Sequence, residues 1–504
     1  MGLYNMFGGA NPKLTPDGRK LIEGDIVEPA DANQLELRKA VPDSSLYWPG
    51  GEVAYSYHES INSFEMQVIE SAMQHWQEHT CIRFRPRQAG DIAFVRFRSD
   101  TQGCWSLVGR QVNSPNGYGQ GQDVSIGQGC ANLNVVVHEI GHVIGFFHEQ
   151  SRSDRDEYID IVWDNVLPGF ALQFRKESDA SYQIPYDLTS TMQYPQWAFS
   201  KEIFEKSTIV ARNPAYQRFL SKNYPLSFRD RQLANHLYSC AAQCSASSAG
   251  CQNGGYARST QASSLFGGGG SSQCGCDCPP NFSGPNCETQ IRADYYEELP
   301  CGGVVTQEGR IQTPGYPQRT SPGQSCMWDI RAPAGKRVAL KFDGFEFAPR
   351  FTKPGTKVIN KCFNETVEFR LSSANMNDGE IYCGTDLAPG TVLKSDGSRA
   401  VVIITANDKM LGAGLSASVK FLAAGQEQIT DDDDDDRLPS STVGPTQIWS
   451  TTVEPETQPP TDVFTLPPIV VRPPPTGVWT PSSLLEEYEK ESRKTLPPVF
   501  PMSA

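Results

Sequence analysis

The first regular alternation in the chain comes at Val53, Tyr55 and Tyr57, where every second position is apolar, as in a half-buried strand. The period then lengthens. Ile61, Phe64, Val68, Ala72, Met73 and Trp76 recur at helical spacing and predict an amphipathic helix. Ile82 to Arg87, Ile92 to Phe97 and Trp105 to Gly109 read as short strands, with Gly, Asn and Pro turns around Ser114 to Gly121. A further helix is expected from His138. After His148 the pattern is irregular up to a last short helix near Arg229 to Leu237, so a two-part α/β domain with a cleft between its parts is expected. Far downstream, Val338 to Phe342, Val367 to Leu371 and Ala400 to Thr405 are β-like runs separated by turn residues, the texture of a sandwich.

Polar stretches flank these regions. Residues 1–39 lack clear periodicity and read as an extended pro-segment. Beyond Gly425 a run from Asp431 to Asp436 leads into a Pro-, Thr- and Ser-rich tail that cannot bury enough apolar surface to fold. At 504 residues the chain has room for three or four domains. Its net charge is −14, with no basic tract to suggest nucleic acid or an anionic membrane surface, and no apolar run is long enough to span a bilayer.

Cysteine usage narrows the compartment. There are fourteen, in local sets rather than CxxC pairs, which favours disulfides and an oxidising environment. Cys240 closes the first domain in this reading. Cys276, Cys278 and Cys287 then have compact disulfide-knot spacing, and the Ser/Gly-rich stretch between Cys251 and Cys274, with Gly267 to Gly270, reads as a flexible loop. Sequons at Asn281 and Asn364 agree with secretion. The opening MGLYNMFGGANPK has no apolar h-region and is not a signal peptide, so a truncated start is expected.

The densest chemistry is HEIGHVIGFFH, which holds three of the seven histidines. A helix places positions i and i+4 on one face, so His138 and His142 can share a metal ion. Gly145 can adopt positive φ, end the helix and let the chain turn back to bring in His148 as a third ligand. Glu139, beside the first ligand, is placed to act on water at the metal. Upstream, Leu21-Ile-Glu-Gly-Asp25-Ile-Val27 reads as a turn between short strands; lying in a cleft, it could offer Asp25 to the metal.

The stretch HEIGHVIGFFHEQSRSDRD, His138 to Asp156, resembles the astacin family of zinc metalloendopeptidases within the metzincins. GCWSLVGR around Cys104, STMQYP with Met192 and Tyr194, and the closing LANHLYSC occur in the family's order. CGG at Cys301, TPGYP at Thr313 and YCG at Tyr382 resemble a CUB domain, and Cys244 to Cys287 an EGF module, an order similar to nematode-type astacins. The resemblance implies a pro-segment over 1–39, an α/β (α+β) protease domain with a mixed twisted sheet and zinc cleft over 40–240, an EGF-like module over 241–288, an all-β CUB sandwich over 301–422 and a disordered tail over 423–504.

It also implies roles. His138, His142 and His148 would bind one Zn2+, with Glu139 as general base, Tyr194 as transition-state stabiliser and Met192 packing beneath the metal. Asp25 would be the zymogen's metal ligand and Glu149 the anchor for the new N-terminus after cleavage near Arg38-Lys39-Ala40. Ile22 stands where the pro-segment motif usually has Phe, and Thr191 and Gln193 flank Met192 where Ile and His are common. The implied disulfides are Cys81–Cys240, Cys104–Cys130, Cys244–Cys274, Cys251–Cys276, Cys278–Cys287, Cys301–Cys326 and Cys362–Cys383, which use every cysteine. Calcium at the EGF-like module is not expected, because acidic residues are missing before Cys244; Glu365 leaves a calcium site open in the CUB domain. The implied function is a secreted zinc endopeptidase acting on extracellular, matrix or cuticle proteins, with EGF and CUB modules that recruit matrix or receptor ligands. The competing expectation is a secreted CUB/EGF adhesion protein with an inert protease domain.

Overall fold

Near the start of the chain, β1 (Leu21–Ile22) and β2 (Ile26–Val27) pair antiparallel across a turn of Glu23, Gly24 and Asp25. Gly24 lies at φ 84°, and a Cβ there would come within 2.6 Å of the Phe199 ring, so the turn needs glycine both for its conformation and for its closeness to the protein. The computed structural model describes residues 14–15, 18–28, 44–112, 121–176, 184–221, 225–244, 250–260, 273–318, 325–352, 360–406, 412–423, 425–426 and 429. Residues 114–120, the Arg38-Lys39 pair, Gly267 to Gly270 and the tail from Asp431 lie outside them.

Strands β3 (Glu52–Tyr57), β4 (Arg83–Pro86), β5 (Phe94–Arg98), β6 (Cys104–Trp105) and β7 (Gly121–Ile126) form one sheet in the order β4-β3-β5-β7-β6, parallel except for the β6–β7 pair. Between β3 and β4 runs α1 (Ser63–His79). Its first turn is closed reciprocally: the Glu65 N–H donates to the Asn62 side chain, and the Asn62 N–H donates to the Glu65 carboxylate. The helix buries Ile69, Ala72, Met73 and Trp76. Ile61 precedes the cap, and Ile69, outside the expected stripe, is fully buried.

The following helix, α2 (Leu133–Val143), is buried along its whole length from Val135, because its residues are apolar on nearly every face. The Trp76 indole donates to the Val137 carbonyl at 3.1 Å and packs edge-on against Phe146. Later come a short ladder of β8 (Ile159–Ile161) and β9 (Ile209–Ala211), and α3 (Phe228–Leu237), capped reciprocally by Ser227 and Asp230. One continuous core from Trp48 to Leu237 joins the sheet, α1, α2 and these later segments.

The expected strand from Trp105 to Gly109 shrinks to the two residues of β6. From Ser106 onward the backbone turns to a different partner: the Val27 N–H donates to the Ser106 carbonyl and the Ser106 N–H to the Asp25 carbonyl, both at 2.9 Å. The resulting bridge between Ile26 and Ser106 is parallel. The edge strand of the sheet is thus occupied by the β1–β2 hairpin.

A disulfide-rich segment follows, with β10 (Tyr256–Thr260) paired to β11 (Gln273–Asp277) and β12 (Phe282–Ser283) to β13 (Thr289–Gln290). Beyond it lie two facing sheets. One contains β14 (Cys301–Val305), β16 (Cys326–Arg331), β18 (Glu365–Arg370), β19 (Glu380–Tyr382) and β21 (Arg399–Ala406); the other contains β15 (Gly309–Gln312), β17 (Lys336–Glu346), β20 (Val392–Lys394) and β22 (Gly414–Ala423). Ile330, Leu340, Val402 and Val419 lie among the side chains that fill the space between them. Seven disulfides join Cys81 to Cys240, Cys104 to Cys130, Cys244 to Cys274, Cys251 to Cys276, Cys278 to Cys287, Cys301 to Cys326 and Cys362 to Cys383.

Candidate metal centre

His138 and His142 project from the same face of α2, one turn apart, with ring centroids separated by 4.8 Å. Gly145 ends the helix at φ 107°, its N–H bonded to the His142 carbonyl at 2.8 Å, while the Phe146 N–H bonds to Gly141 at 2.9 Å. The reversed chain carries His148 to within 4.8 Å of the His142 ring and 5.1 Å of His138. Asp25 completes the group. One ligand atom from each of these four buried residues lies within 4.8 Å of every other.

The outward nitrogens settle which way the imidazoles face. His138 Nδ1 lies 2.7 Å from the Thr191 carbonyl, His142 Nδ1 2.8 Å from the Phe146 carbonyl and His148 Nδ1 2.7 Å from a Glu23 carboxylate oxygen. All three partners are acceptors, so each Nδ1 carries the proton and each Nε2 turns a lone pair inward. His138 and His148 Nε2 stand 3.2 Å apart, and Asp25 oxygens approach His138, His148 and His142 Nε2 at 3.2, 3.2 and 3.7 Å. Three lone pairs and a carboxylate converging in a dry space is an arrangement that a divalent cation satisfies. Three neutral nitrogen donors with one oxygen suit zinc, so the residues fit that ion.

Burial and the neighbouring charges shift these groups in different directions. Burial opposes charge on Asp25, but His148 and hydrogen bonding from the imidazoles hold its carboxyl well below the usual range. Burial pushes His142 down to about 4, whereas at His148 it is outweighed by Asp25 and Glu23, which lift the ring to about 9.

Glu139 is fully buried, and neither carboxylate oxygen has a hydrogen-bond partner among the described residues. Burial, then the charge of Asp25, raises its pKa well above the ordinary carboxyl value. A buried carboxyl group without hydrogen-bond partners costs stability. The Tyr194 ring lies 4.6 Å from the His148 ring, tilted by 59°, and its hydroxyl donates to the Glu23 carbonyl; burial raises its pKa well above the usual phenol value. Met192 lies beneath the site, where a Cβ on Gly141 would come within 2.7 Å of its sulfur. The Glu149 carboxylate accepts from the Asp187 N–H at 2.7 Å and from Arg152 at 3.2 Å.

Several contributors escaped the sequence reading. Glu23 grips His148 from the hairpin, and Gln173 accepts the Gly24 N–H at 2.9 Å. Asp230, the capping residue of α3, also accepts the Thr191 N–H at 2.8 Å and the Ser190 hydroxyl at 2.6 Å, so it holds the turn whose carbonyl orients His138. The S-x-x-D capping pattern was readable, but its second task depends on tertiary contact. Thr191 acts through its backbone, which explains why its departure from the usual residue is harmless to this contact. Of the sequon asparagines, Asn281 is buried and Asn364 half-buried, and Glu365 is buried with its carboxylate on the Ala348 N–H at 2.5 Å.

Three histidines converging on one buried point, with a donor-free glutamate beside the first, define a metallohydrolase-type centre. A family model described as Astacin, a peptidase family, matches residues 40–239, and one for the CUB domain matches residues 301–418. The chain is 32% identical to zinc metalloproteinase nas-36 of Caenorhabditis elegans over 467 residues, covering 88% of this chain and 67% of that protein. With blastula protease 10 of Paracentrotus lividus it shares 32% identity over 408 residues, 78% of this chain and 62% of that one. Among solved structures, high choriolytic enzyme 1, a hatching enzyme zinc-protease from Oryzias latipes, is 33% identical, with a match covering 39% of this chain and 96% of that one and a TM-score of 0.35. The chain belongs to the astacin family and carries a CUB domain after its astacin domain. It spans between 62% and 67% of the length of these two curated relatives.

Proposed function

We propose that this chain is a secreted zinc endopeptidase made as a zymogen. The observation that carries the reading is the buried trio of inward Nε2 atoms with Glu139 beside it, unpartnered. When bound by His138, His142 and His148, zinc supplies Lewis acidity toward a peptide carbonyl and toward water. Glu139 takes the proton of the attacking water and returns it to the leaving amine. The Tyr194 hydroxyl donates to the carbonyl oxygen as negative charge grows on it. Substrate lies extended along Trp105 to Val108, gaining backbone hydrogen bonds at the sheet edge that the hairpin now covers.

Latency follows from the hairpin. Asp25 fills the centre, Glu23 holds both His148 and Tyr194, and no peptide can enter until the pro-segment is cut, near Arg38-Lys39-Ala40, and leaves. Glu149 then receives the new N-terminus. The disulfide-rich segment acts as an EGF-like module and, with the CUB domain, recruits matrix or receptor ligands; the substrates are extracellular matrix or cuticle proteins. Seven disulfides and no free cysteine among the described residues support an extracellular site of action, and no described helix is long and apolar enough to cross a membrane. Of the two sequons, Asn364 is the accessible acceptor. Hydrolysis of an internally quenched peptide by the processed chain, blocked by o-phenanthroline and restored by zinc, is the expected result. A processed, zinc-loaded protein that binds matrix yet cuts no member of a peptide library would favour the adhesion protein instead.

A further inference from the structure

The segment that leaves the metal centre runs directly into the CUB domain. Beyond Tyr194, the Phe199 ring stacks on Phe170 at 5.3 Å and lies 5.8 Å from Tyr194, and its carbonyl accepts the Leu167 N–H at 2.9 Å. Five residues later Phe204 packs edge-on against Trp197 at 4.6 Å and against Phe363 of the CUB domain at 5.0 Å, with Phe351 in the same cluster. Phe199 and Phe204 both adopt left-handed backbone, at φ 53° and 66°. For a bulky side chain this conformation is unfavourable and persists where surrounding contacts impose it.

The imposing contacts come from both sides. Next to Phe204, the Glu205 carboxylate pairs with Arg350 at 3.4 Å and with Lys361, both from the CUB domain. Asp378 of the CUB domain accepts from Lys206 at 3.4 Å and from Asn165 at 3.1 Å, and Asn377 donates to Asp160 at 3.1 Å. The strained stretch between Tyr194 and Lys206 is therefore anchored at one end by protease rings and at the other by CUB rings and charges.

We infer that the CUB domain is a positioning element for the active site: through Phe363, Arg350 and Lys361 it holds the Phe199–Phe204 segment, and through that segment it positions the Tyr194 ring that packs against Phe199. This rests on the role proposed above for Tyr194. It gives the CUB domain a task inside the enzyme, separate from any outside ligand. Phe363, Arg350 and Lys361 are positioning residues, since none of them touches the metal centre.

The test uses the full chain, processed and zinc-loaded. Phe363→Ala is expected to lower kcat about fivefold with KM nearly unchanged, because a small displacement of an oriented group costs rate rather than affinity. In a Tyr194→Phe background the same substitution should cost nothing further, since the group it positions is gone. Glu205→Lys should reproduce the loss, and adding Lys361→Glu, which leaves the Arg350–Asp386 pair intact, should restore part of kcat. Amide exchange across residues 199–206 should quicken in Phe363→Ala, a readout that needs no turnover. Unchanged exchange, an unchanged kcat, or an equal loss in the Tyr194→Phe background would overturn the inference. If the unmodified chain hydrolyses no peptide, the proposed function falls, and the exchange measurement still decides whether the CUB domain holds the segment.

Discussion

If the hairpin of Leu21 to Val27 belongs to a pro-segment, as proposed, replacing Asp25 by Ala in the uncleaved protein separates the two ways in which it closes the site. The carboxylate lies 3.2 to 3.7 Å from the three inward Nε2 atoms, where it would be a fourth ligand to the ion they hold, and losing that charged contact is worth about 3 kcal/mol. The rest of the hairpin stays. Leu21 and Val27 pack with Trp105 and Leu107, and Ile26 with Val108 and Phe147, all nearly fully buried, which together contribute about 5 kcal/mol. The Val27–Ser106, Ser106–Asp25 and Gly24–Gln173 hydrogen bonds add about 1 kcal/mol each. Asp25→Ala therefore removes the smaller share of the closure. Its expected effect is a rise in zymogen activity of about a hundredfold, the equivalent of some 3 kcal/mol, to a level still well below that of the cleaved enzyme. Adding Ile26→Ala, which removes about 2 kcal/mol or more of packing, should raise it further. The assay is hydrolysis of a quenched peptide by protein whose cleavage is blocked by Arg38→Ala and Lys39→Ala, with chain integrity checked on a gel. A double variant as latent as the parent would refute the reasoning. So would Asp25→Ala alone matching the cleaved enzyme, because then the apolar clasp contributes nothing.

Other consequences are independent of latency. Gly141→Ala puts a better helix former into α2, yet its Cβ would come within 2.7 Å of the Met192 sulfur, so thermal unfolding should show a loss of about 2 kcal/mol rather than a gain. Removing zinc with o-phenanthroline should lower the melting temperature of the astacin domain, since four converging donors lose the ion that offsets their repulsion, and re-addition of zinc should restore it; an unchanged melting temperature would count against occupancy. In the CUB domain Asp329 is buried between Arg331 and Arg399; burial opposes its charge, but the two guanidiniums hold its pKa below the usual value. A depressed folded-state pKa means stability that is full above the unfolded value of about 3.9 and is lost as pH falls below it. Asp329→Asn should therefore cost about 1 kcal/mol at neutral pH, after discounting the exposed arginines, and should flatten the acid limb of CUB unfolding.

What could be read beforehand divides along a physical line. The i, i+4 spacing of His138 and His142 and the helix-ending Gly145 are local, and local periodicity survives into the fold. The apolar stripe of α1 was legible for the same reason, although its boundary shifted to the Asn62 cap. The Ser106–Ile26 bridge joins segments 80 residues apart, and nothing in either stretch names the other, so Trp105 to Gly109 looked like a strand of the main sheet. Glu23 carries no signal of its own, because a glutamate before a glycine is ordinary in a turn; its bond to His148 exists only once the hairpin sits in the cleft. The left-handed Phe199 and Phe204 likewise carry no sequence signal, because contacts with the CUB domain and with Phe170 impose that backbone.

The central claim is that Glu139 is maintained for proton transfer at the expense of the fold, and Glu139→Gln tests it most directly. The amide keeps the shape of a side chain whose oxygens have no hydrogen-bond partner and removes the group that can take up a proton. In the processed protein, kcat should fall about a thousandfold while zinc content is unchanged and the melting temperature stays level or rises. Retained turnover, or a loss of turnover explained by lost zinc or a lower melting temperature, would contradict it.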